Sequence, residues 1–88
     1  MPDHDEYKKM LTDLIQKQMV VLGPNIALDK ARRTAGLKVA DDGTVLDIGG
    51  DPQITLKAVV NEYMALSGQI AQMTLNTVLE KYPSVKGL

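Results

Sequence analysis

The sequence predicts an α+β domain that is predominantly α: two helices, a β-hairpin and a long C-terminal helix, assembled as a dimer. Three stretches carry that expectation. Residues 51–82, DPQITLKAVVNEYMALSGQIAQMTLNTVLEKY, place apolar residues at helical spacing between a capping aspartate and a proline. The pair Gly23-Pro24 divides the helical pattern ahead of it in two. Between these, residues 37–50, LKVADDGTVLDIGG, switch to alternation on either side of Asp42-Gly43.

The first helix is expected over 3–22. Asp3, Asp5 and Glu6 place negative charge on its first turn, where the helix dipole favours it. Tyr7, Met10 or Leu11, Leu14, Gln18 and Leu22 run down one face, broadened by Ile15 and Met19. Gly23-Pro24 ends this helix, because proline biases the residue before it away from helical geometry. Pro24 also suits the first turn of a second helix, expected over 24–35, with Ile26, Ala27, Leu28, Ala31 and Ala35 inward and Gly36 as its C-terminal cap. A hairpin follows over 37–48, with strands at 37–40 and 44–48. Asp42-Gly43 forms its turn because both residues can reach positive φ.

The long helix is expected over 52–81, ahead of a tail at 83–88. Asp51 caps its start, Pro52 fits the first position, Lys81 suits the negative end of the dipole and Pro83 forbids continuation. Such a helix would measure roughly 45 Å, whereas a compact chain of this size has a radius of gyration of about 12 Å. Either the helix bends, with Ser67-Gly68 the place for it, or a second copy of the chain covers the overhang. Leu56, Val59, Tyr63, Leu66, Ile70 and Met73 form one seam, and Gly68 beside it would let another backbone approach; these are the expected interface residues. Val60, Met64, Ala71, Leu75, Val78, Leu79 and Tyr82 widen the apolar surface, and only Lys57, Glu62, Glu80 and Lys81 carry charge. A helix apolar on so much of its circumference needs partners on more than one side.

Composition narrows the function classes. Eighty-eight residues make one small domain, 1–88, and a net charge of −1 provides no general field for nucleic acid or anionic membrane. With three tyrosines and no Phe or Trp, the core must be aliphatic, with Met10, Met19, Met64 and Met73 as gap fillers. The chain has no cysteine, so disulfides and thiolate metal sites are excluded. No apolar run is long enough for a membrane span and no leader pattern opens the chain; the expected location is the cytoplasm.

Motifs for chemistry are lacking. Asp41, Asp42, Asp47 and Asp51 do not follow the alternation of a calcium loop, and Gly43, Gly49 and Gly50 make no dinucleotide or phosphate-loop fingerprint. His4 stands alone, so neither a catalytic triad nor a two-histidine metal site can be assembled. No catalytic residue, metal or cofactor is expected. Lys30, Arg32, Arg33 and Lys38 form a basic cluster, and two helices followed by a hairpin with a basic approach resemble part of a winged-helix arrangement, which implies a DNA-binding regulator. Asp29, Asp41 and Asp42 offset that charge, so nucleic acid is not the expected partner. The run LGPNIALDKAR, residues 22–32, is similar to small helical domains appended to bacterial signalling proteins. That likeness covers about a dozen residues, carries no catalytic motif and transfers nothing to this chain. The leading expectation is a non-enzymatic protein–protein interaction module that pairs with itself. A DNA-binding regulator and a binder of small apolar ligands between helices are the competing classes.

Overall fold

The computed structural model describes residues 4–34 and 36–82, leaving aside the side chains of Ser67, Ile70, Ala71 and Leu79. It is mainly helical with one two-stranded antiparallel sheet, in the order α1 (His4–Leu22), α2 (Pro24–Arg32), β1 (Leu37–Val39), β2 (Val45–Ile48) and α3 (Pro52–Lys81). The expected tail at 83–88, a helix start at Asp3, and the inward placing of Ala35, Ile70, Ala71 and Leu79 lie outside what is described.

Helix α1 buries Tyr7, Met10, Leu11, Leu14, Ile15 and Gln18. Pairs of adjacent residues recurring every three to four positions give it a broad inward face, wide enough to meet several elements. Its first turn is tied down by His4, whose Nε2–H donates to the carbonyl of Ile48 at 3.1 Å. The link to α2 is a single glycine. Gly23 has φ +93°, donates its N–H to the Met19 carbonyl and accepts from the Ala27 N–H, each at 3.1 Å. Its positive φ thus closes one helix and opens the next.

Helix α2 stops at Arg32, three residues short of the expected end. Its exit tightens as Thr34 N–H turns back to the Ala31 carbonyl at 3.1 Å, and the Thr34 carbonyl then accepts Leu37 N–H at 3.3 Å. Gly36 therefore does not cap the helix directly. At φ +81° it instead meets Gly49, whose N–H donates to the Gly36 carbonyl at 2.7 Å. A Cβ on Gly49 would lie 3.1 Å from that oxygen, so the two glycines let the base of the hairpin close tightly.

The hairpin differs from a two-residue turn. Ala40 N–H bonds the Thr44 carbonyl at 2.9 Å and Gly43 N–H bonds the Ala40 carbonyl at 3.0 Å, so three residues form the loop. Gly43 alone has positive φ, +90°; Asp42 does not, and its carboxylate instead accepts Thr44 N–H at 2.9 Å. This is a turn completed by a left-handed glycine, the usual geometry for loops of this length. Leu37 pairs with Ile48, Lys38 with Asp47 and Val39 with Val45, which leaves Leu46 as the extra residue of a bulge. The bulge lets Val45 and Ile48 both face inward although they are three apart. Thr12 Oγ1 accepts Val45 N–H at 2.9 Å, fastening β2 along α1.

Helix α3 is capped by Asp51, whose Oδ1 accepts the N–H groups of Gln53 at 2.8 Å and Ile54 at 3.4 Å. Its 30 residues would span about 45 Å if straight, but the longest dimension of the fold is 32 Å. The helix is therefore bent. Its start lies a few residues beyond Ile48, at the level of His4 on α1. Tyr63 reaches the carbonyl of Ala27, just beyond the other end of α1. From there the chain returns: Met73 lies by Val20 and Val21, Thr77 by Lys17, and Lys81 by Asp13. The turn-back falls between Tyr63 and Leu75, where none of the described side chains is buried and where Gly68 sits. Nothing lies within 4 Å of the position a Gly68 Cβ would occupy, so within the chain this glycine serves no close approach. The overhang anticipated for a straight helix is absent because both halves of α3 lie on α1.

The core gathers the inner faces of all five elements around α1. Tyr63, Met10, Leu11, Leu14, Ile15, Leu56, Val59 and Val78 are its most deeply buried large apolar side chains.

Candidate functional site

The bend in α3 determines which apolar side chains remain outside. Of the expected seam, Leu56, Val59 and Tyr63 are buried in the chain's own core, so they do not form a free surface. Tyr63 is anchored by its hydroxyl, which donates to the Ala27 carbonyl at 2.9 Å, and burial pushes its phenol well above the ordinary value of 10.0. Leu66 and Met73 of the same seam are exposed, at 43% and 64%. Met64 is 40% exposed beside them.

Across from Met73, the last turn of α1 adds Val20, 87% exposed, and Val21, 49% exposed. Lys17, Val20 and Val21 on one side and Met73, Thr74 and Thr77 on the other enclose an open groove of about 480 Å³. Lys17 is the only ionisable group among its described lining residues, and the Asp13 carboxylate holds that ammonium at 2.7 Å. The groove is thus an apolar strip with its one charge engaged. The sequence pattern pointed away from Val20 and Val21 because they fall between the positions of the inward stripe of α1. Two adjacent β-branched residues on the outward side of a helix were the available signal.

Below the groove, Asp13 joins α1 to the end of α3. Lys17 lies 2.7 Å and Lys81 3.4 Å from its two carboxylate oxygens. Partial burial would raise the Asp13 pKa, but the hydrogen bonds and charges of the two lysines outweigh it and hold the group below 3.8. The same carboxylate raises the pKa of Lys17.

The basic cluster is largely engaged within the fold. Arg32 donates from Nη2 to the Val39 carbonyl at 3.1 Å and pairs with Asp41 at 2.8 Å, bracing α2 against the hairpin. Arg33 pairs with Asp29 at 3.3 Å, one helical turn earlier. Lys38 points outward from β1 and stands opposite Asp47 across the strand pair. Lys30 is half-buried on α2. None of these four cations is among the described lining residues of the grooves beside α1.

Among the described residues, no group of three or more His, Asp or Glu is placed to hold a metal ion, and no helix is long and apolar enough to cross a membrane. Comparison with protein-family models, curated proteins and solved structures finds no match for this chain.

Proposed function

We propose that this chain is a non-enzymatic interaction module whose partner is a second copy of itself. The observation that carries the reading is the apolar strip on either side of the α3 bend: Met64, Leu66 and Met73 on α3 with Val20 and Val21 on α1, all exposed. Clustered apolar exposure of this kind on a small chain marks a contact surface. Sparse charge makes it suited to an identical surface, since like charges would not be brought face to face. The engagement of Arg32 with Asp41 and of Arg33 with Asp29 supports a bracing role for the basic cluster, and so weighs against a duplex as the partner.

Light scattering across the micromolar range tests the proposal. A mass of twice 9.6 kDa is expected. Leu66→Asp, which places a carboxylate in the strip at a position already exposed, should return the mass to that of one chain while leaving the helical circular dichroism unchanged. A single-chain mass for the unaltered protein at every concentration would defeat the proposal.

A further inference from the structure

Resting on the self-association reading above, we infer that two copies pair by exchanging the C-terminal half of α3, the helix straightening at Gly68 so that residues 69–82 of each chain pack on α1 of the other. Residues Pro52–Lys81 form one helical segment. The bend is therefore imposed on a segment whose local preference is a straight rod, and packing of the two halves on α1 is what holds it. The returning half is lightly held: Leu75 and Val78 are its buried side chains among those described, Tyr82 is partly buried, and the Lys81–Asp13 pair is solvent-exposed on the lysine side.

Exchange keeps all of those contacts, because the α1 surface that receives residues 69–82 is the same on either copy. What differs is the middle. A straight α3 removes the bend, and two such helices from a symmetric pair cross over the segment that carries Met64 and Leu66. That crossing covers Met64 and Leu66, which the bent monomer leaves in water. Domain exchange of this sort needs no new complementary surface, which makes it an accessible route to a symmetric dimer.

The chain has no cysteine, so introduced thiols report without interference. Asp13→Cys with Lys81→Cys places thiols at positions whose side chains meet in the structure. The protein is treated at micromolar concentration with a short bismaleimide and then denatured. Exchange predicts covalently joined pairs, running at twice the single-chain mass. A product of single-chain mass, from protein that light scattering shows to be dimeric, overturns exchange and leaves self-association standing. A single-chain mass before treatment overturns both. Lys17→Cys with Thr77→Cys, on facing sides of the groove, repeats the measurement with the Lys81–Asp13 pair intact. Gly68→Ala supplies the second arm: favouring a straight helix in both chains of the pair, it should tighten the dimer by roughly 15- to 30-fold, given the helix preference of alanine over glycine. Weaker association of that variant counts against straightening at this residue.

Discussion

Gln18 lies in the middle of α1 at 1% exposure, with neither Nε2 nor Oε1 hydrogen-bonded. A buried amide without partners is a net cost to folding, of about 1–3 kcal/mol. Its aliphatic stem fits the inward stripe that the spacing predicts, while its head group gains nothing there. Gln18→Met keeps length and volume and removes both polar atoms. We expect that variant to be more stable by about 1 kcal/mol, read as a rise in Tm of roughly 4–8 °C for a domain of this size. A fall in Tm would show that the amide is satisfied in solution. Gly43 is the opposite case, a residue whose lack of a side chain is used twice. Its φ of +90° completes the hairpin loop, and a Cβ there would come within 2.7 Å of Met19 Sδ and 2.9 Å of Gln16 Cγ. Loop conformation and docking of the hairpin on α1 thus depend on the same glycine.

Between elements, the returning half of α3 is joined to α1 by Asp13 with Lys17 and Lys81. The sign of its pH dependence follows from the direction of the shift. A carboxylate held below 3.8 in the folded chain contributes stability that is present above that value and lost as pH falls through the folded pKa. Asp13→Asn should therefore lower stability at neutral pH and flatten the acid limb below about pH 4. Urea titrations at pH 7 and pH 3 measure this: the gap between parent and variant should shrink at the lower pH. An equal gap at both would remove the charge from the account.

For the molecule as a whole, charge and shape point the same way. A net charge of −1, with Arg32 and Arg33 each paired with an aspartate at the surface, leaves little field to attract phosphates. Binding to mixed-sequence duplex at physiological salt should be no tighter than about 10⁻⁴ M, the weak end of non-specific association. Fluorescence anisotropy at low and physiological salt checks this. Micromolar affinity lost in the Arg32→Ala, Arg33→Ala variant would move the regulator reading to the front. The radius of gyration of 11.4 Å matches a compact monomer, about 12 Å for a chain of this size. Stability of that monomer depends on α3 turning back. The same helix, straightened, has the length to reach a second copy.

Local chemistry made much of this fold legible from residues alone. Asp51 with Pro52 opens α3, Gly23-Pro24 parts the first two helices, and the change of period after Gly36 places the hairpin; each acts through a few neighbouring backbone groups, so the sequence carries it directly. The bend of α3 is different in kind. Thirty helical residues specify a rod, and only packing on α1 decides whether that rod folds over. Leu56, Val59 and Tyr63 therefore belong to the core while Leu66 and Met73 of the same seam face water, a division that periodicity cannot express because all five satisfy it equally. Gly36 and Gly49 meet across the hairpin base for a like reason, being distant in sequence and adjacent only once the strands pair. Val20 and Val21 became a surface because the returning half of α3 brings Met73 beside them. Propensity, capping and turn geometry are short-range and written in the chain, whereas the choice of which apolar face is covered is made by contacts between segments that only the tertiary structure brings together.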